Sequence, residues 1–210
     1  MSGVVVVKVG GSVADTAALG ELEQAVVVHG GGPQINAAMA EAGLTPTFVR
    51  GRRVTDDATL AVVRGALLEV NGRLCEQIGP RAVGLAGDEI GLHATRIPEL
   101  GHVGVPSPSR PQAILDALAR GRIPVVAPLA VGPLNVNADE AASALAIGLG
   151  AERIVFHTDV PGVILPRIAA DDADRLLLEL EGGIVPKLQA AVSAARVGVR
   201  AEIGQTVVVA

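Results

Sequence analysis

The sequence predicts an α/β sandwich built on a mostly parallel sheet, and three observations carry that prediction. Short runs of β-branched residues, such as the four valines at positions 4–7, are continuously apolar rather than alternating, as expected of strands covered on both faces. Segments of helical length separate these runs. Regular alternation of strand and helix is the pattern of parallel strands joined by crossover helices.

In chain order, residues 4–9 form the first strand and 25–28 the second. Residues 12–24 between them are only just long enough for a crossover, which needs about a dozen residues. Residues 33–42 read as a helix. Pro33 opens it, where a missing N–H costs nothing, and Gly43 ends it. A longer helix spans 57–78, capped by Asp56 or Asp57. Residues 82–85, 123–126 and 153–157 read as further central strands, and 111–120, 138–149 and 187–197 as helices. Residues 93–96 and 102–105 read as pieces of a hairpin. Ile203-Gly204-Gln205-Thr206 reads as a tight hairpin with glycine at its first turn position. No repeat, linker or low-complexity tract interrupts the pattern, so one domain over 1–210 is expected.

Half of the 210 residues are hydrophobic, enough for a core without disulfides. A net charge of −5 argues against a nucleic-acid binder. Cys75 is the single cysteine and cannot pair within the chain, so it reads as a small buried hydrophobe in a reducing compartment. The sequence opens without a basic n-region or cleavage site, and the apolar stretch 141–151 falls short of a membrane span. A cytoplasmic protein with no nucleic-acid or membrane partner is expected.

Of the 17 basic residues, Lys8 and Lys187 are lysine and all others are arginine. Both lysines neighbour paired glycines. Lys8-Val9-Gly10-Gly11 closes the first strand, and ligands of open α/β sheets lie beyond the carboxyl ends of strands. Two glycines let the backbone approach an anion and offer it N–H groups, while the lysine adds a point charge. The order is the reverse of a Walker loop, and neither GxxxxGK[ST] nor GxGxxG occurs. His29-Gly30-Gly31-Gly32-Pro33 also follows a strand and opens a helix, a second nest for negative charge. His29 itself reads as a packed or hydrogen-bonded histidine rather than a base. Gly51-Arg52-Arg53-Val54-Thr55-Asp56 places an arginine on a short strand, suited to a carboxylate. In Asn135-Val136-Asn137-Ala138-Asp139, alternation puts both asparagines on one side, and Asp139 falls in the first turn of a helix. Taken alone, this pentapeptide reads first as a helix cap. Thr158-Asp159-Val160-Pro161-Gly162 follows another strand, and Gly182-Gly183-Ile184-Val185-Pro186-Lys187 enters the last helix.

In this order, from Lys8 to Lys187, the six segments resemble the amino-acid kinase family, and most closely its branch that phosphorylates N-acetylglutamate. The resemblance implies a three-layer α/β/α fold. The acyl amino acid would bind in residues 1–150 and ATP in residues 151–210. It implies that Lys8 and Lys187 stabilise the transferring phosphoryl group and that Asp139 positions both. Gly10, Gly11, Gly31 and Gly32 would surround the phosphoryl group and its acceptor. Arg53, Asn135 and Asn137 would hold the substrate. Thr158, Asp159 and Gly162, with both lysines, would bind the nucleotide. Mg²⁺ would arrive on the ATP, because no cluster resembles a dedicated metal cage.

The sequence departs from the family pattern in places. It is short, its first crossover is minimal, and the segment after Arg200 is compressed beside the expected nucleotide pocket. No helix precedes the first strand, whereas arginine-inhibited relatives use one to build hexamers. The expectation is therefore a homodimer that arginine does not inhibit. Two alternatives stay open: the aminoadipate-carrier kinase of lysine biosynthesis, and a non-catalytic anion- or nucleotide-binding protein on the same fold.

Overall fold

In the computed structural model, residues 3–10, 17–157 and 165–210 are described. The elements, in order, are β1 (Val5–Val9), β2 (Ala25–His29), α1 (Gly32–Glu41), β3 (Phe48–Val49), β4 (Arg52–Arg53), α2 (Asp57–Ile78), β5 (Ala82–Ala86) and α3 (Gly87–Ile90). Then follow β6 (Ala94–Arg96), β7 (Val103–Pro106), α4 (Gln112–Ala119), β8 (Ile123–Ala127), β9 (Leu129–Ala130), β10 (Leu134–Val136) and α5 (Ala138–Leu149). The chain closes with β11 (Arg153–Phe156), β12 (Arg167–Ala169), α6 (Ala170–Leu176), α7 (Ile184–Ala195), β13 (Arg200–Ile203) and β14 (Thr206–Val209).

Among the described residues the main sheet runs β12-β14-β13-β11-β1-β2-β8-β5. Its pairings are parallel except β13–β14. That antiparallel pair is the expected tight hairpin: Ile203 pairs with Thr206, and Gly204 turns at φ +55°. A smaller sheet, β6-β7-β10-β9, contains the hairpin expected from residues 93–105.

The period-2 alternation of the central strands sorts the core into two layers. Val6, Val26, Val28 and Val126 face one way, into a cluster with Leu145 of α5, Leu188 of α7 and Ile114 of α4. Val7, Val9, Val27 and Val125 face the other way, onto Val70, Leu74 and Ile78 of α2. Helices therefore cover both faces, giving the three-layer α/β/α arrangement. The same alternation points Lys8, an even position of β1, toward the α5–α7 layer.

The longest helix, α2, starts where the sequence indicates: the Asp56 side chain accepts from the Thr59 N–H at 2.8 Å. The last helix differs. It begins at Ile184, so Lys187 lies within its first turn rather than at its start. Pro186 is tolerated there because first-turn N–H groups have no helical partner. Cys75 is only partly buried on α2, against the second core layer, and burial raises its thiol pKa. The sequence pattern also gave no sign of α3, β9 and β12, which have four, two and three residues, or of α6, whose buried face carries only alanines.

Close packing of α5 on the loop before α4 generates a test. A Cβ at Gly148 of α5 would stand 2.1 Å from the Ser109 carbonyl oxygen, an immovable backbone atom. A Cβ at Gly65, on the exposed face of α2, would meet nothing within 4 Å. Helix propensity favours alanine over glycine by about 1 kcal/mol at both sites. Only at Gly65 does propensity decide the sign. Urea unfolding should show Gly65→Ala stabilised by up to about 1 kcal/mol and Gly148→Ala destabilised by about 1–3 kcal/mol.

Candidate active site

The site forms where the carboxyl ends of β1 and β2 meet the amino ends of α1, α5 and α7. A cavity of about 200 Å³ opens there. Of the residues singled out in the sequence, Lys8, Gly31, Gly32, Arg53, Asn135, Asn137 and Asp139 line it. Lys187 joins through Asp139, as described below. Gly10 follows Lys8 closely in the chain but is not in the cavity wall. Gly11, Thr158, Asp159 and Gly162 lie outside the described residues.

Asp139 holds the centre. Its Oδ1 lies 3.0 Å from Lys8 Nζ and 3.0 Å from Lys187 Nζ. All three are buried, at 8%, 8% and 6% exposure for Lys8, Lys187 and Asp139. Local sequence places the carboxylate. Asn137 caps α5, its Oδ1 accepting from the N–H groups of Asp139 at 2.9 Å and Glu140 at 3.2 Å. The cap fixes the first helical turn and with it the direction of Asp139. Lys8 feels opposing influences. Burial lowers its pKa most, Asp139 raises it, and Lys187 pushes it down again; the net direction is downward. Two cations on one carboxylate leave an excess positive charge, and the amino ends of α1 and α5 add to it.

The glycines serve the same surface. Gly31 precedes α1, and a Cβ there would press on Leu67 at 3.0 Å. A Cβ at Gly32 would meet nothing within 4 Å. Among the described residues no neighbour demands glycine at that position, and the exposed backbone there borders the cavity.

Arg53 forms the opposite wall. It is 7% exposed, and burial draws its pKa down. It donates to Asn36 Oδ1 at 2.8 Å and to Met39 Sδ at 3.1 Å, and its guanidinium lies 4.7 Å from the Phe48 ring centroid. Among the described residues no carboxylate pairs with it. A buried guanidinium held by neutral groups retains its demand for an anion. Asn135 donates to Thr55 Oγ1 at 3.1 Å, and Thr55 in turn donates to the Arg53 carbonyl at 2.8 Å, tying β10 to the arginine strand.

Sequence reasoning missed Asn36, Met39 and Phe48, because nothing in their spacing distinguishes them from surface or core residues, and it quoted Thr55 in the arginine motif without giving it a role. It also left Arg52 and Glu140 unmentioned as a pair, 88 residues apart in the chain.

His29 is the fully buried histidine expected to be structural. Its Nδ1 lies 3.0 Å from the Gly30 carbonyl and its Nε2 lies 3.0 Å from Asn71 Nδ2. That pairing suits a neutral ring, donating at Nδ1 and accepting at Nε2. Burial lowers its pKa from 6.5 to about 4. The unfolded chain therefore takes up a proton between about pH 6.5 and 4 that the folded chain refuses, and stability falls as pH falls through that window. A shift of this size corresponds to about 3 kcal/mol. Urea unfolding at steps from pH 7 to 4 should show a shallower loss for His29→Gln than for the native sequence. Identical pH slopes would contradict this account.

Comparison with known proteins places these features. The amino acid kinase family model matches residues 3–205. The acetylglutamate kinase of Saccharopolyspora erythraea is 42% identical over 83% of this chain, which spans 66% of that protein. The acetylglutamate kinase of Cereibacter sphaeroides is 39% identical over 95% of this chain and 79% of its own length. Among solved structures, a Streptococcus mutans protein superposes with a TM-score of 0.87 at 26% identity, covering 98% of each chain. Carbamate kinase from Giardia lamblia bound to AMP-PNP superposes at 0.71 and 14% identity over 99% of this chain and 98% of its own, a likeness of fold. The chain belongs to the amino acid kinase family, on its acetylglutamate kinase branch.

Proposed function

We propose that the protein transfers the γ-phosphoryl group of ATP to the side-chain carboxylate of N-acetylglutamate, a step of arginine biosynthesis. The observation that carries this reading is the pair of buried ammonium groups on Asp139, of which Lys8, with Asp139 itself, lines a cavity whose other wall presents a buried arginine that has no carboxylate partner among the described residues. The acetylglutamate kinase relatives support the substrate.

The reaction brings two anions together, so charge neutralisation and alignment matter more than covalent help. The acceptor carboxylate is already ionised at pH 7 and needs no general base. Arg53 is read as the partner of the substrate's α-carboxylate, with Asn135 and Asn137 beside it. Lys8 and Lys187 would stabilise charge on the transferring group, and the open backbone at Gly31–Gly32 would offer N–H groups to it. Asp139 keeps both ammonium groups aimed at one place. Its Oδ1 already accepts from both lysines, and no described group of three or more His, Cys, Asp or Glu is arranged to hold a metal. Mg²⁺ is read as entering on the nucleotide, where it would offset phosphate charge beside the two lysines.

The sheet order supports a division of labour. β2, β8 and β5 lie on one side of β1, and the strands after residue 150 lie on the other. Residues 1–150 are read as the acyl-amino-acid lobe and 151–210 as the ATP lobe. Thr158, Asp159 and Gly162 are assigned to the nucleotide pocket on resemblance, as are a homodimer and a cytoplasmic location. No helix of the described residues is long and apolar enough to cross a membrane.

ADP release with ATP, Mg²⁺ and a panel of acyl amino acids tests the activity itself. Turnover of N-acetylglutamate ahead of the rest is the expected result. Arg53→Ala should raise KM for N-acetylglutamate about 10–100-fold and leave KM for ATP nearly unchanged, since a charge-assisted pair contributes about 1.5–3 kcal/mol. Equal effects on both constants would refute the assignment.

The depressed pKa of Lys8 gives a second test. The free enzyme loses that proton at a lower pH than an ordinary lysine, so the alkaline limb of kcat/KM should fall below about 10.4. Asp139 raises the Lys8 pKa, so Asp139→Asn should move the limb lower still. Lys8→Arg should cost about 10²–10³-fold in kcat with the fold intact by circular dichroism, because a planar guanidinium cannot replace a compact ammonium. A folded Lys8→Arg enzyme with native kcat would remove Lys8 from the mechanism.

A further inference from the structure

The hairpin β3–β4, which carries Arg53 and Phe48 into the cavity wall, is poorly equipped to hold itself in place. Its strands are two residues each, and an isolated hairpin of that size is marginal at best. Its turn residues Arg50 and Gly51 both adopt positive φ, +49° and +76°. Such a turn suits glycine or asparagine, and arginine there is strained. Phe48 and Val49 are 53% and 44% exposed, so burial contributes little.

Side-chain tethers supply what the backbone lacks. Arg53 ties the hairpin to α1 on one side of the cavity, through Asn36 and Met39. Arg52 ties it to the other side. Arg52 Nη1 donates to Glu140 Oε2 at 2.8 Å and Nη2 to Glu140 Oε1 at 2.5 Å, a bidentate pair. The two side chains are 21% and 19% exposed, shielded enough for the pair to matter yet open to water when it parts. Glu140 also belongs to the α5 turn that positions Asp139, and its N–H shares the Asn137 cap. Arg52 and Arg53, adjacent in sequence, thus point to opposite sides of the strand and reach opposite walls.

We propose that the Arg52–Glu140 pair is a latch that closes the β3–β4 hairpin over the cavity and parts to admit and release the acyl amino acid. The proposal rests on the substrate assigned above. In the latched state the hairpin holds Arg53 against the α-carboxylate. In the unlatched state the α1 tether and the base of the hairpin remain, the base held by Thr55 to Asn135 and to Gly101, and the tip of the hairpin swings outward about it. Arg52 lines the cavity but its guanidinium is engaged by Glu140, so both are assigned as positioning residues that act through the hairpin and Arg53.

The test compares the native protein with Arg52→Leu, Glu140→Gln and the double variant. Hydrogen exchange of backbone amides 48–53 in the ligand-free protein reads the latch directly. Exchange should rise about tenfold in each single variant and no further in the double, because one interaction is lost in all three. KM for N-acetylglutamate should rise by a similar factor, about tenfold, with kcat unchanged or raised by faster product release and KM for ATP unmoved. Arg52→Lys, which keeps one charged contact, should recover part of both effects. Unchanged hairpin exchange, additive effects in the double variant, or a fall in kcat at constant KM would each overturn the latch. If Arg52→Leu alone weakens substrate binding and Glu140→Gln does not, Arg52 acts as a lone cation and the latch is wrong. If the native protein does not phosphorylate N-acetylglutamate at all, the functional reading fails, and the exchange arm still decides the latch.

Discussion

One carboxylate oxygen organises this molecule. Asp139 Oδ1 accepts from Lys8 and Lys187, each at 3.0 Å, and all three groups are out of bulk water. Two ammonium groups this close repel, and each alone would be costly to bury. The shared oxygen makes their proximity tolerable, and the surrounding elements are placed to keep it there. β1 is in the middle of the sheet, its even positions face α5 and α7, and the Asn137 cap fixes the first turn of α5. The product of that arrangement is a residual positive charge at the cavity wall.

The fold was legible in the sequence wherever burial imposed a period. β1, β2 and β8, covered on both faces, read as unbroken apolar runs and were found within a residue of their ends. So was α2, whose Asp56 cap and apolar spacing both showed. Elements of about a single period left no trace: α3 and β9 have four and two residues. The sequence reading started α7 at residue 187, after Pro186, whereas the helix begins at Ile184 and holds the proline within its first turn.

The site was legible to a different degree. Lys8 and Lys187 stood out because arginine fills every other basic position, and glycine pairs marked both. Asp139, Arg53 and Asn135 were indicated by ordered motifs, and the structure brings them to one cavity. Asn137 turned out to serve as the cap that its spacing alone had suggested, while also lining the cavity. What the sequence could not reveal were partnerships between distant residues. Arg53 with Asn36 and Met39, His29 with Asn71, and Arg52 with Glu140 depend on how α1, α2 and α5 pack, and no local pattern encodes that.

The place of β1 in the sheet also bears on how the chain is made. Its neighbours are β2, close in sequence, and β11, whose Arg153 pairs with Val5. The charge cluster additionally needs α7, near the end of the chain. During synthesis from the N-terminus, β1 can pair on one edge early, but its other edge stays open until β11 emerges. Lys8 has no carboxylate to meet until α5 is made, and the second ammonium arrives only with α7. Long-range parallel pairing of this kind folds slowly and exposes unpaired edges meanwhile. A chain that has emerged only as far as α6 therefore carries an unfinished sheet and an incomplete charge cluster, and Asp139 gains its second ammonium group only once α7 has been delivered.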